Sequence, residues 1–209
     1  YTWDDTIAFD WIDAHAGINS GLRGDDHFLL PPIDIGFSFP FYENAYSQVY
    51  VSTNGLLTFG AGTTAYDNRP IPVPTWPNDL VAPLWSDLYI RSGACETGDV
   101  YYLRGGTEPE RFLAIEWLDV CLASGGRATF EAILHENGDI VLQYLTVPAT
   151  VPATIGIEDN LGLDGLQYPN QRLTSQRAVR FSQPSPSARV KTSPPRQGSF
   201  THPADTAAF

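Results

Sequence analysis

The chain has 209 residues and a formal net charge of −12, with Lys191 its only lysine. This acidity argues against nucleic acid and anionic membranes, both of which need basic patches. Trp, Tyr and Phe make up 12% of the chain, and 18 Gly and 17 Pro supply the turns of a fold with many short strands. A chain of this length can bury a two-layer core as one domain. No apolar run is long enough to span a bilayer.

In chain order, the opening alternates aromatics with acids and predicts a short strand around residues 7–11, then a loop through Gly17, Gly21 and Gly24. In IDIGFSFPFY, Ile33, Ile35, Phe37 and Phe39 recur every second residue and share one face; Pro40 is expected to end that strand. The stretch VSTNGLLTFG places Asn54-Gly55 between apolar runs, which predicts a hairpin with a type I′ turn. A Pro-rich connection over residues 68–83 follows, and its proline density argues against a central strand. VAPLWSDLYI then returns to the core.

Residues 99–104 predict a strand, and so does RFLAIEWLDV, with Trp117 pointing inward. Asn137-Gly138 repeats the hairpin device between 128–135 and 140–145. Closing strands are expected at 153–158 and 178–182. The fold class is therefore all-β: a two-layer antiparallel, jelly-roll-like β-sandwich over 1–182. Residues 183–209 form a Pro/Ser-rich extended tail. Alone, its composition predicts disorder; its own domain, a neighbouring subunit or a crystal contact could hold it in place, with Phe200 and Phe209 as its large apolar anchors. Trp3 is the matching anchor at the other end.

Two cysteines, Cys95 and Cys121, fit a disulfide and hence an oxidising compartment. Two free thiols in a cytosolic protein are the alternative. No C-x-x-C or Cys/His cluster suggests zinc or redox chemistry. The absence of methionine and the first residue, Tyr1, fit a mature chain from which a signal peptide has been removed.

Candidate sites are few. Ca²⁺ takes six to eight oxygens, mostly carboxylates. Asp25 and Asp26 form one acidic loop, and Asp159 and Asp164 lie in another; each is a candidate for a structural Ca²⁺, and each also suits a turn. The N-terminal acids reach Asp25 and Asp26 only if that segment folds back. No catalytic motif is present. Glu116 and Glu131, on adjacent strands, are the one carboxylate pair a glycosidase would need, although charged residues alternating on a solvent face read the same way. Trp76, in the Pro-rich connection, is the aromatic best placed to stack on a sugar.

Several segments appear in a recognisable order: FDWIDAHAG, GDDHFLLPPIDIGFSFPFYENAYSQVYVSTNGLLTFG, PNDLVAPLWSDL, FLAIEWLDV, ATFEAILHENGDIVLQY and ATIGIEDN. Together they resemble the nidogen-like (NIDO-type) extracellular module, in the variant of bacterial secreted and cell-surface proteins. The resemblance covers residues 3–160 and extends toward Phe181. It implies a β-sandwich, an extracellular setting and an adhesive or accessory role without catalysis. The chain departs from the family where Trp85-Ser86-Asp87-Leu88 replaces W-D-D-L.

Two functions follow as expectations. One is a non-enzymatic adhesion or assembly module whose partners are copies of itself, joined by tail or strand exchange into a filament. The other is a carbohydrate-binding accessory module of a secreted enzyme.

Overall fold

A computed structural model describes residues 1–183. The strands are β1 (Thr2–Asp4), β2 (Ile18–Asn19), β3 (Gly24–Asp25), β4 (Ile33–Phe41), β5 (Asn44–Val51), β6 (Leu57–Thr58), β7 (Leu80–Trp85), β8 (Leu88–Ile90), β9 (Asp99–Gly105), β10 (Phe112–Leu122), β11 (Arg127–His135), β12 (Ile140–Thr146), β13 (Thr154–Glu158), β14 (Gly165–Tyr168) and β15 (Arg177–Ser182). Only two short 3-10 turns, Ala14–Ala16 and Asn170–Arg172, interrupt them among the described residues.

The strands form two antiparallel sheets. One runs β1-β15-β12-β11-β10-β8-β3, with β9 also on β10 and β2 on β9; the other runs β14-β13-β7-β6-β5-β4. One continuous apolar cluster from Leu22 to Phe181 fills the space between them. The sandwich expectation holds.

Alternation decides which side chains enter that core. Along β4, Ile33, Ile35, Phe37, Phe39 and Phe41 are buried while Asp34, Gly36 and Ser38 are exposed. On β10, Leu113, Ile115 and Trp117 are buried in the core, and Trp117 stacks on Phe130 of β11 at 5.0 Å. Burying side chains of this size is worth about 1.5–3 kcal/mol each, the dominant favourable contribution.

Four local expectations are corrected. The first strand is β1, not residues 7–11, which form no strand; they cross the outer face of the larger sheet, as described below. β4 runs through Pro40 to Phe41, because it is an edge strand and an edge tolerates a missing N–H. Pro83 lies inside β7, a central strand between β13 and β6. It fits there because the β7–β13 register shifts between Thr154 and Gly156, opposite this proline, and bulges accept proline.

The two hairpins form where Asn-Gly predicts them, with a different turn. Only the glycines, Gly55 at φ 68° and Gly138 at φ 90°, have positive φ; Asn54 and Asn137 do not. Ser52 N–H donates to Leu56 O and His135 N–H to Asp139 O, each closing a three-residue loop. Such loops place a left-handed residue last, which explains why glycine stands third in both.

The free edge of β4 is covered by side chains. Arg104 donates to Asp34 O, Arg111 to Gly36 O, and Tyr1 and Gln183 to Pro40 O. Capped carbonyls blunt an edge that would otherwise accept another strand.

Candidate functional sites

The most unusual chemistry lies on the outer face of the larger sheet. Glu116 on β10 and Glu131 on β11 are direct cross-strand partners, a geometry that brings Cβ atoms to about 4.5–5.5 Å. Gln143 on β12 pairs with Glu131. Neither carboxyl faces solvent: Glu116 is 2% exposed and Glu131 0%. This corrects the solvent-face reading.

Residues 7–16 lie over this stripe and bury it. They are held by main-chain bonds. Asp10 N–H donates to Gln143 Oε1 at 2.8 Å, Ile12 N–H to Glu131 Oε1 at 3.1 Å, and His15 N–H to Glu116 Oε2 at 3.1 Å. The Gln143 amide donates to Asp10 O at 2.5 Å and to Glu131 Oε1 at 2.8 Å. Apolar contacts complete the cover: Ala14 is buried with Ala114, Ile133 and Val141, and Ile7 and Ile12 pack against them.

Glu131 Oε2 is buried with no hydrogen-bond partner. Burial pushes the Glu131 carboxyl up to about 8, outweighing the stabilising bonds from Ile12 and Gln143; nearby Glu116 and Asp10 raise it further. Burial, then the charge of Asp13, raises Glu116 to about 7. Protonated carboxyls are the physical consequence, because an ionised pair so close in a dry site repels itself. The pair is sealed under a segment of its own chain and lies in no open cleft.

A second acidic group sits where β3 and β8 meet. Oxygens of Asp25, Asp26 and Asp87 come within 4.8 Å of one another. Burial first, then its acidic neighbours, raises the Asp25 and Asp87 carboxyls. Asn54, fully buried, fixes Asp26 by donating to its Oδ1 at 2.8 Å and accepts Leu88 N–H at 2.9 Å. Three carboxylates are fewer oxygens than Ca²⁺ takes, so carbonyls or water would complete any shell. Asp87 was not singled out from the sequence; its only signal was its place in the SDL of APLWSDL.

Asp159 and Asp164 are not part of that group. Asp159 Oδ1 accepts the N–H of Leu163 and of Asp164, four and five residues on, so this carboxylate closes its own loop. Beside it, Tyr46 donates to Asp79 Oδ2 at 2.6 Å while Asp79 Oδ1 is buried without a partner. Burial raises Asp79 to about 6, against the lowering effect of the tyrosine bond.

Trp3, on the edge strand β1, stands edge-on to Tyr168 at 5.2 Å under the Arg172 guanidinium. Next to it, Asp5 is bound by Tyr168 OH, Arg172 and Arg177. Burial works to raise Asp5, but these bonds outweigh it and hold the carboxyl below its ordinary range. Trp76 is 53% exposed in the Pro-rich connection, and Leu161 and Leu163, in a loop that touches that connection at Val73 and Pro74, are also exposed. Phe200 and Phe209 lie outside the described residues.

Cys95 and Cys121 are joined, with Cα atoms 6.0 Å apart. The bridge ties the loop after β8 to the end of β10.

A family model described as NIDO related matches residues 1–202. The chain belongs to the NIDO-related family. The match agrees with the order of motifs along the sequence and with the sandwich. For this NIDO-related module, family and disulfide together indicate an extracellular module. No solved structure matches the chain with significance.

Proposed function

We propose that this NIDO-related chain is a non-enzymatic adhesion or assembly module of the cell exterior. Its partners are other proteins, foremost copies of itself, and a surface filament joined by tail or strand exchange is the form of assembly that fits best. One observation carries the reading: β1 is a three-residue strand added to the edge of β15 through main-chain pairing. The same addition made between chains is β-augmentation, in which backbone bonds supply affinity. A head-to-tail contact of that kind grows into fibres when its geometry does not close. The C-terminal tail leaves from β15, directly beside β1, so both candidate donor segments meet at one edge. The tail itself lies outside the described residues. The sealing of Glu116 and Glu131 supports a role without bond-breaking.

Sedimentation velocity on the full chain, on a chain lacking residues 184–209 and on a chain lacking residues 1–4 tests this. The full chain should self-associate with rising concentration, and one truncation should abolish it. A full chain that stays monomeric at every concentration would defeat the proposal.

The exposure of Trp76 favours a second reading, a carbohydrate-binding accessory module. Exposed indole rings stack on sugars, and the exposed Leu161 and Leu163 lie in a loop that touches the same connection at Val73 and Pro74. Affinity electrophoresis through soluble polysaccharides separates the two readings: retardation that disappears in Trp76→Ala supports sugar binding, and unretarded migration in every gel removes it.

A further inference from the structure

We propose that residues 7–16 form a pH-released strap, held down while the Glu116–Glu131 pair beneath them carries a proton and loosened when both carboxyls are ionised. The inference is independent of the assembly reading, because it concerns only how this chain covers its own sheet.

The geometry assigns the proton a place. Glu131 Oε1 already accepts Ile12 N–H and the Gln143 amide, whereas Oε2 is buried with no partner. A bare carboxylate oxygen there would be an uncompensated charge in a dry site, which is far costlier than a neutral hydroxyl. The cross-strand neighbour is a second carboxyl, so ionising both adds repulsion to desolvation. The groups around the pair offer little relief. The strap contributes Asp10, Asp13 and His15, β12 contributes Gln143, and β9 contributes Tyr101, which is the cross-strand partner of Glu116 and lies edge-on to His15 at 4.6 Å. Among the groups that shift either carboxyl, the two aspartates raise the pKa and His15 alone supplies a cation, and only when protonated.

The strap is the part able to yield. The strands under it are fixed by full ladders on both sides, while the strap is held by three main-chain N–H donors, one carbonyl acceptor and a small apolar cluster. Lifting it admits water to both carboxyls without breaking the sheet. It also uncovers Ala114, Ile133 and Val141, an apolar strip on the outer face.

The sign is opposite to that of an ordinary surface carboxylate. Each folded-state pKa, about 7 for Glu116 and about 8 for Glu131, lies above the ordinary value. The stabilisation is therefore complete in acid, falls progressively as pH rises above the ordinary carboxyl value of 4.5, and has been lost once pH passes about 8.

Hydrogen exchange of the full chain at pH 6 and pH 9, corrected for intrinsic exchange rates, reads the strap directly. The amides of Asp10, Ile12 and His15 should lose at least about tenfold in protection at pH 9, the factor that one pKa unit of coupling produces. Amides in β11 and β12 should not change. Glu131→Gln keeps the acceptor for Ile12 and places an uncharged NH₂ where the proton sat, so its strap should stay protected at pH 9. Glu116→Gln removes the like charge that raises Glu131, so its loss of protection should be smaller and end at lower pH, which keeps the test decisive if Glu131→Gln folds poorly. Equal protection of the wild-type strap at both pH values, or an unchanged pH response in Glu116→Gln, would overturn the proposal.

Discussion

Tyr144 on β12 donates its buried hydroxyl to the carbonyl of Pro83 on β7 at 2.7 Å, a bond that passes from one sheet to the other. The ring is fully buried, and burial drives its hydroxyl well above the ordinary range for tyrosine. The bond lies next to the register shift that admits Pro83, so a side chain of one sheet satisfies the backbone where the other is irregular. Trp117 makes a similar crossing, its Nε1 donating to Ser52 O at 3.0 Å beside the first hairpin.

Tyr144→Phe should therefore cost about 1–3 kcal/mol, the penalty for leaving a buried carbonyl without its donor. Urea unfolding should show a lower midpoint at unchanged slope. A loss below about 0.5 kcal/mol would mean that the carbonyl finds another partner.

Gly55 should not tolerate a side chain. Its φ is 68°, and an added Cβ would overlap the carbonyl of Leu84. Gly55→Ala combines left-handed strain with a backbone clash and should cost more than the roughly 1 kcal/mol of a simple conformational penalty. Gly125, at φ 95° with open space around it, is the control: Gly125→Ala should show the strain alone. Thermal melts of the two variants compare them.

Removing the bridge by the double substitution Cys95→Ala and Cys121→Ala should cost about 3 kcal/mol, from the closure entropy of the loop it spans. The sequence separation is 26. Chemical unfolding of the double variant against the oxidised protein measures this difference.

The acidic triad sets a prediction about charge. Asp87 is raised by burial and then by Asp25 and Asp26. In buffer with a chelator, Asp87→Asn should raise the melting temperature slightly at pH 8, since it removes a repelling charge. A fall that depends on added Ca²⁺ would show that the three carboxylates hold a cation.

Much of the fold was legible because its signals are local. Strict alternation in β4 showed which of its residues enter the core, and Asn-Gly marked where two hairpins turn. The strand at Pro83 was not legible, because proline is tolerated there only through a register shift against β13, far along the chain. β14 was missed because it is four residues long and carries little alternation. Among the candidate site residues, Asp25 and Asp26 are neighbours in the sequence itself, and Asp87 joins them only through the β3–β8 pairing.

The Glu116–Glu131 stripe shows the limit most sharply. Period two put both side chains on the face away from the core, and an outward glutamate ordinarily meets water. The available warning was the rest of that face, where Ala114, Ile133 and Val141 are too apolar to be left bare. The sequence by itself determined an all-β sandwich with a cysteine pair apt for bridging, since turn chemistry, alternation and composition act over a few residues. Only the tertiary structure decided that residues 7–16 fold back over the larger sheet. Burial of a charge is set by what lies above it, and here the cover comes from more than a hundred positions away.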